Sequence, residues 1–499
     1  MLQRFILAGL VLALPLSAVA DTPPSAPPAQ WADYFAAVRK ADAIVDDEAR
    51  CVAYPDLPGN EWVAGAAKAR CGMLRAPAMS LDEIDRRLAT KEGTAELEAR
   101  FAALLDAHYK DQAQREQIFR AFVPFDESER AGIVAERWLK LAPKSAFAHA
   151  ALGHHHSDAG WNARGTAYVD KTPAAKLQVM QDEFVAAVPL LAKALELEPR
   201  LSPACTWMTA IGRQSSDELQ RHAMGKCTKI DPDSYYLALE RIFQAEPRWG
   251  GSEAEHRLAV AYAAARVERN PVLGALLGEA AGYAPSIADK PESVTDELAA
   301  VSRMAPSGTL MSYAARGYRN KGDEWSALVY YSQALRFWPR NADWRYERAG
   351  RWRNVGDYEW AFRDMQVALE VEPDAGWNQY RMGQIMRQLR GEAAARPFLK
   401  RALDFPDSRQ QAMLLYCQGF KIEKALKELG DCTREFVAEY PTYGEAWRQR
   451  AWYLDMVRSA EADDAFEKFM LYADPDNPLH QKEVAELKQW EQQQKKARK

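Results

Sequence analysis

Apolar residues recur at positions i, i+3, i+4 and i+7 through most of the sequence, and alternating apolar–polar runs are scarce. This periodicity places apolar side chains on one helix face and predicts α-helices throughout. The segments Ser80–Glu83 and Ser252–Glu255 have the Ser-x-x-Glu pattern that caps a helix N-terminus. Many helical runs stop at a proline, which cannot continue a helix: Pro143, Pro199, Pro232, Pro339, Pro373, Pro441 and Pro475.

A spacing of 34 residues recurs in the C-terminal part of the sequence. Small residues, helix-ending prolines and turn-forming glycines all reappear after this interval: Ala327 and Ala361, Ala334 and Ala368, Pro339 and Pro373, Gly322 and Gly356. Alanine lets paired helices approach closely, and a period of this length is typical of a helix–turn–helix repeat.

These residues resemble the tetratricopeptide repeat. The resemblance implies an all-α protein whose helical hairpins stack as a superhelix, or α-solenoid, over residues 308–478. It also implies that the first helices of successive hairpins line a concave groove. Residues 479–499 are polar and basic at their end, which predicts a capping helix.

The central segment, residues 146–283, has weaker repeat-like features and two motifs with glycine and tryptophan. These motifs are GWNARG at Gly160–Gly165 and RWGGS at Arg248–Ser252. Together they resemble a bacterial domain of unknown function, which implies a helical, repeat-like domain and brings no activity. We interpret both motifs as loops that either meet to form a pocket or make local turns, with Ser252 capping the next helix.

The first twenty residues have the features of an export signal. Arg4 precedes the apolar run Phe5–Leu16, and small residues follow at Ala18–Ala20. The run is too short to span a bilayer as a mature helix. We therefore expect cleavage near Ala20/Asp21 and a periplasmic or secreted protein without a membrane span.

Breaker residues and changes of pattern divide the rest of the chain. We predict the following segments: a Pro-rich spacer over 21–30, an N-terminal helical region over 31–145, the repeat-like domain over 146–283, a linker over 284–307, the superhelix over 308–478 and the capping tail over 479–499.

All six cysteines follow the predicted signal, and exported proteins commonly contain disulfides. They fall as three neighbouring pairs. Residues equidistant from the turn of an antiparallel hairpin face each other, so each pair could join adjacent helices. We predict the disulfides Cys51–Cys71, Cys205–Cys227 and Cys417–Cys432, with six buried free thiols as the alternative.

The formal net charge of -5 is small for 499 residues and argues against binding nucleic acid through a broad basic surface. The sequence also contains no nucleophile elbow, phosphate-binding glycine loop or dinucleotide fingerprint. We therefore predict a protein that is not an enzyme and has no cofactor.

Three arginines share the 34-residue spacing, and an amide follows each: Arg319–Asn320, Arg353–Asn354 and Arg387–Gln388. The guanidinium group offers a planar fork of donors to a carboxylate, and an amide can both donate to and accept from a peptide backbone. We predict that these residues line the groove and bind a protein or peptide, with Arg316, Tyr380 and Arg381 as neighbours. The alternative is an ordinary solvated polar face.

A histidine cluster supports a different class of function. His154 and Asp158 are four residues apart, so they could share a helix face and bind zinc or copper. His149, His155 and His156 lie beside them, although three consecutive histidines on a helix point in different directions. The sequence therefore favours an exported scaffold that binds a protein or peptide, and leaves a metal-dependent or glycan-acting envelope enzyme as the alternative.

Overall fold

The computed structural model describes residues 25–167 and 169–497. The predicted signal peptide and the first part of the predicted spacer lie outside these residues. The described part of the chain consists of α-helices and short 3-10 turns joined by loops, and it contains no β-strand. The all-α fold of stacked helical hairpins is therefore confirmed. None of the described helices combines the length and the apolar character that crossing a membrane would require.

The chain divides into two compact units, which are described separately. The N-terminal unit is Pro27–Pro339, and the C-terminal unit contains the described residues from Arg340 onward with Ser25 and Ala26.

The N-terminal unit contains seventeen α-helices among the described residues. Their bounds are α1 (Ala29–Asp42), α2 (Asp47–Ala53), α3 (Ala66–Gly72), α4 (Leu81–Arg87), α5 (Lys91–Lys110), α6 (Gln117–Phe122), α7 (Glu129–Leu141), α8 (Ala146–Arg164), α9 (Ala174–Leu197), α10 (Ser202–Ser215), α11 (Asp217–Ile230), α12 (Tyr235–Ala245), α13 (Glu253–Ala264), α14 (Glu279–Ser286), α15 (Thr295–Met304), α16 (Gly308–Asn320) and α17 (Glu324–Phe337). Ser80 and Ser252 cap α4 and α13, each accepting a hydrogen bond from the N–H three residues later, as predicted.

The largest hydrophobic core of this unit lies around α5, α7, α8 and α9. The ring of Phe101 lies 5.0 Å from that of Trp138, and both side chains are fully buried. Glycine allows α8 and α9 to pack closely, because a Cβ atom at Gly153 would lie 2.7 Å from the side chain of Leu191. Close packing of this kind buries apolar surface and excludes water from the interface.

The predicted linker, residues 284–307, contains the end of α14, a 3-10 turn at Pro291–Val294 and all of α15. Leu298, Val301 and Ala305 are buried there. The division between the two units falls instead after Pro339, one hairpin later than the predicted start of the superhelix. The segment boundaries stay predictions.

The C-terminal unit contains four helical hairpins and a final helix among the described residues. Their bounds are α18 (Ala342–Asn354), α19 (Tyr358–Val371), α20 (Gly376–Arg390), α21 (Glu392–Ala402), α22 (Pro406–Ile422), α23 (Leu426–Glu439), α24 (Gly444–Met456), α25 (Ala462–Tyr472) and α26 (Pro478–Ala497). The alanines of the 34-residue pattern, including Ala361 and Ala368, are fully buried between helices. Gly356 adopts a φ of 84° in the turn before α19, a left-handed conformation that glycine tolerates best.

All three predicted disulfides are confirmed. Cys51–Cys71 joins α2 to α3, Cys205–Cys227 joins α10 to α11, and Cys417–Cys432 joins α22 to α23. Each bond therefore links two helices that follow one another in the chain, which is the arrangement expected for residues equidistant from a hairpin turn.

Candidate functional site

The first helices of the hairpins form one layer of the C-terminal unit. Helix α20 packs against both α18 and α22, and α22 packs against α24. Each second helix packs against the first helix of its own hairpin. Side chains at equivalent positions of α18, α20, α22 and α24 are consequently neighbours.

The best-defined polar group on this layer is the arginine cluster, which we define as Tyr346, Arg353, Tyr380, Arg381 and Gln384. Two guanidinium groups share one amide oxygen at its centre. Arg353 donates from Nη1 to Gln384 Oε1 at 2.6 Å, and Arg381 donates from Nη1 to the same oxygen at 3.2 Å. The amide nitrogen of Gln384 donates to the Tyr380 hydroxyl at 2.9 Å. The cluster therefore joins α18 to α20.

An aromatic ring and a glycine position Arg381. Its guanidinium carbon lies 4.3 Å from the centre of the Tyr346 ring, a cation–π arrangement. A Cβ atom at Gly350 would lie 3.5 Å from the same guanidinium carbon. Gly350 thus leaves room for the arginine side chain to lie along α18.

The arginine cluster carries positive charge that the described residues do not neutralise. No carboxylate in residues 25–167 or 169–497 forms an ion pair with Arg353 or Arg381. Burial, together with the nearby charge of Arg381, lowers the pKa of Arg353. Burial also raises the pKa of Tyr380. Two half-buried like charges that share only a neutral acceptor are a favourable place for an anionic group.

The other predicted groove residues of this unit are engaged differently. Arg387 forms an ion pair with Glu392 across its own hairpin and donates to Gln418 Oε1 at 3.3 Å. Asn354 accepts a hydrogen bond from Arg353 at 3.1 Å. The side-chain oxygen of Gln388 is buried and accepts no hydrogen bond from a described residue.

Aromatic and basic side chains continue along the layer of first helices. Lys421 places its ammonium 4.0 Å from the centre of the Trp452 ring, between α22 and α24. Burial and the charge of Arg448 lower the pKa of Lys421. Trp377 and Trp452 keep more than a third of their surface exposed (37% and 38%), which is unusual for so large an apolar side chain.

The remaining predicted groove residues, Arg316, Arg319 and Asn320, belong to α16 in the N-terminal unit. Arg319 donates to Asn320 Oδ1 at 3.1 Å, and Asn320 donates to Glu292 Oε2 at 3.0 Å. The guanidinium carbon of Arg316 lies 5.3 Å from the Tyr313 ring centre. These residues thus form a polar group of their own within α16 and the turn before α15.

The predicted histidine cluster lies on α8. The His154 ring stacks on Trp207 with 4.2 Å between ring centres, and burial, with the charge of His155, lowers its pKa to about 4. Burial and a hydrogen bond with Glu127 raise the pKa of Asp158 to about 6. His156 pairs with Glu183 at 2.7 Å.

The other two histidines of the cluster use Nδ1 against backbone carbonyl oxygens, His149 at Ser145 and His155 at Asp126. Among residues 25–167 and 169–497, no group of three or more His, Cys, Asp or Glu side chains is placed to hold a metal ion.

The two glycine- and tryptophan-bearing motifs contact each other, but only one is a loop. Gly160–Arg164 belongs to α8, so the interpretation of this motif as a loop was wrong: Gly160 packs against Phe184 of α9, and the helix continues to Arg164. The second motif forms a turn in which Gly250 has a φ of 89°. The Arg164 guanidinium lies 5.4 Å from the Trp249 ring centre, which joins the motifs.

Sequence reasoning missed Gln384 and Tyr346, which complete the arginine cluster. Tyr346 lies 34 residues before Tyr380, so the same interval that identified the arginines could have found it. Gln384 has no such signal. Its role depends on the packing of α18 against α20, which brings Arg353 within hydrogen-bond distance.

No protein-family model matches the chain, and no curated protein matches its sequence. Solved structures similar to it include a tetratricopeptide repeat protein from Parabacteroides merdae, with 22% identity, 37% of this chain and 74% of that chain covered, and a TM-score of 0.34. YrrB, described as a TPR protein with an unusual peptide-binding site, has 18% identity over 36% of this chain and 94% of its own, with a TM-score of 0.30. MamA has 16% identity over 33% of this chain and 91% of its own, also with a TM-score of 0.30. The chain is thus similar to tetratricopeptide repeat structures, while its fold assignment rests on its own hairpins.

Proposed function

We propose that this protein is an exported scaffold whose C-terminal unit binds a protein or peptide segment on its layer of first helices. The arginine cluster takes a carboxylate of the partner, either a side chain or a chain terminus. The proposal assigns recognition, and no catalytic step, to this surface.

One observation carries the proposal: Arg353 and Arg381 are half-buried and share the neutral oxygen of Gln384 as acceptor. A carboxylate bound between them would accept charge-assisted hydrogen bonds and reduce the repulsion between the two guanidinium groups. The shared amide also holds both side chains in place before binding, which lowers the entropic cost of association.

The rest of the layer supports an extended partner. Trp377 and Trp452 offer exposed rings on α20 and α24, and tryptophan and arginine are enriched among residues that dominate binding energy. These rings lie on first helices to either side of α22, so a bound segment that contacts both would cross more than one hairpin.

The export part of the proposal rests on the disulfides and on the sequence. Three disulfides with no free cysteine among the described residues favour an oxidising compartment such as the periplasm. The signal-like residues 1–20 support the same assignment. Fractionation of cells that express a tagged chain, with N-terminal sequencing of the mature protein, tests it.

A library of peptides of varied sequence tests the binding proposal. Each peptide is made in two forms, one with a free and one with an amidated C-terminus. Selected peptides should bind Arg353→Gln/Arg381→Gln at least about tenfold more weakly than the parent protein, because charge-assisted hydrogen bonds contribute on the order of 1.5–3 kcal/mol. Arg363→Gln/Arg434→Gln is a matched control, since it removes two charges from the second helices α19 and α23.

Amidation of the peptide supplies the second arm. If the cluster binds a C-terminal carboxylate, amidation weakens binding to the parent protein and has little further effect in the double variant. If the ligand is a side-chain carboxylate, amidation has no effect on binding. Replacement of that Asp or Glu in the peptide then weakens binding instead. Equal binding by the parent protein and Arg353→Gln/Arg381→Gln would remove the arginine cluster from the mechanism.

A further inference from the structure

A cavity lies in the N-terminal unit, between α11 and α12. Its volume is about 400 Å³, and it opens to the surface. This is within the range of about 300–1,000 Å³ that is typical of small-molecule sites.

Helix periodicity explains which residues line the cavity. Six of them come from α11 in two rows with a spacing of four residues: Gln220, Met224 and Thr228 in one row, and Arg221, Gly225 and Lys229 in the other. Residues four apart stack on one helix face, so the two rows form a continuous wall. Arg241 and Gln244 of α12 form the opposite side.

Two donors in the wall lack an acceptor. Gln220 is only 4% exposed; its oxygen accepts from Gln244 at 2.7 Å, but its nitrogen is buried without a hydrogen-bond partner among the described residues. Arg241 donates from Nη2 to Thr228 at 2.8 Å, while its Nε is likewise buried without an acceptor. Buried donors without acceptors are costly, so Gln220 and Arg241 keep unused hydrogen-bonding capacity beside the cavity.

The side chains that line the cavity carry a net positive charge. Arg221, Lys229 and Arg241 line it, and no acidic side chain does so among the described residues. The Arg241 guanidinium lies 4.3 Å from the Tyr262 ring centre, which fixes its orientation. Burial is the main cause that lowers the pKa of Arg241, as expected for a guanidinium without a carboxylate partner.

Besides the two donors without acceptors, the wall contains a glycine, Gly225, at an unusual position. It lies in the interior of α11, where glycine costs about 1 kcal/mol relative to alanine. Packing does not require it, because a Cβ atom there would meet nothing within 4 Å. The absent side chain keeps the cavity open.

We propose that this cavity binds a small organic oxyanion, a molecule whose phosphate or carboxylate group accepts hydrogen bonds from the Arg241 guanidinium. Arg221 and Lys229 attract the anion at the rim. The carbon skeleton of the ligand lies against Met224 and Gly225. The volume exceeds what an inorganic anion alone would fill, which favours an organic ligand.

Isothermal titration calorimetry of the full chain with citrate and with glycerol 3-phosphate tests the proposal and distinguishes the two anionic groups. We expect saturable binding of at least one. Gly225→Leu fills the cavity from a position with free space and should abolish binding, while Arg241→Gln should weaken it at least about tenfold. Lys229→Gln should weaken it less, and Lys226→Gln, on the same helix but outside the cavity, should change it less than about twofold.

Circular dichroism melting separates loss of the site from loss of the fold. Gly225→Leu should melt at or above the temperature of the parent protein, because leucine favours a helix interior more than glycine does. Absence of saturable binding by either probe would overturn the proposal. Unchanged affinity in the folded Gly225→Leu variant would overturn it as well.

Discussion

Removal of Asp364 should destabilise the first hairpin of the C-terminal unit. The carboxylate of this α19 residue accepts from two arginines of α18. Arg345 donates to Oδ1 at 2.7 Å, and Arg348 donates to both oxygens at 2.7 Å. The side chains of Arg348 and Asp364 are only 1% exposed, so solvent cannot take the place of a missing partner.

The expected cost follows from that burial. Breaking a buried ion pair by deleting one partner costs about 3–5 kcal/mol. In Asp364→Ala the guanidinium groups of Arg345 and Arg348 stay buried and lose the counter-charge of Asp364. Asp364→Ala should therefore lower the free energy of unfolding by that amount. This is a large fraction of the roughly 5–15 kcal/mol that stabilises a typical domain. Asp364→Asn retains one acceptor oxygen and should recover about 1 kcal/mol of the loss.

A matched variant separates buried charge from packing. The residues 34 positions after Arg345, Arg348 and Asp364 are Gln379, Met382 and Phe398. The triple change Arg345→Gln/Arg348→Met/Asp364→Phe copies them into the first hairpin. This variant removes all three charges and introduces two apolar side chains. Replacing a buried ion pair by well-packed apolar residues is often neutral or stabilising, so the variant should be more stable than Asp364→Ala.

Hydrogen exchange measured by mass spectrometry is the appropriate assay, because a chain of two units does not unfold in one two-state step. Exchange in α18 and α19 should accelerate in Asp364→Ala by the factor that corresponds to the lost free energy. The N-terminal unit provides the internal control. A loss below about 1 kcal/mol, or a triple variant no more stable than Asp364→Ala, would refute the reasoning from buried charge.

Two further predictions concern a disulfide and pH. Cys417→Ser/Cys432→Ser opens a loop with a sequence separation of 15. Loss of this disulfide should lower the free energy of unfolding by about 3 kcal/mol and accelerate hydrogen exchange in α22 and α23. Unchanged exchange in these helices would contradict the prediction. Burial raises the pKa of Glu279 to about 7 from an ordinary value of 4.5, although the hydrogen bond from Ser307 opposes the shift. The folded state then holds this proton more tightly than the unfolded state, so the contribution of Glu279 is most favourable below about pH 4.5 and declines as the pH rises to about 7. Glu279→Gln should flatten the pH dependence of the melting temperature between about pH 5 and pH 8 and raise the melting temperature at the upper end of this range. A profile parallel to that of the parent protein would contradict the assignment.

The 34-residue interval identified several residues of the candidate site but not the full arrangement. It found Arg353 directly, and Arg381 and Tyr380 as neighbours. It also gave Arg387 the same role as Arg353, yet Arg387 pairs with Glu392 in the same hairpin. An equivalent position in a repeat fixes the direction of a side chain, whereas its partner depends on the residue that the adjacent helix presents.

The central motifs show a similar limit. Glycine and tryptophan in Gly160–Gly165 indicated a loop, because glycine usually weakens a helix. In the structure Gly160 provides space for Phe184, whose ring would lie 2.5 Å from a Cβ atom. The packing of α8 against α9 therefore overrides the local preference, and sequence periodicity alone does not reveal that contact.

The sequence by itself determined the helical fold, the hairpin repeats and the pairing of the cysteines. These properties depend on periodicity and on distances along the chain, which a hairpin converts directly into proximity. Only the tertiary structure decided which charges have partners. Asp364 joins Arg345 and Arg348, while Gln384 holds Arg353 and Arg381 with a neutral oxygen. The physical reason is that an ion pair or a shared acceptor requires atoms within about 3 Å, and the packing of one helix against the next sets that distance.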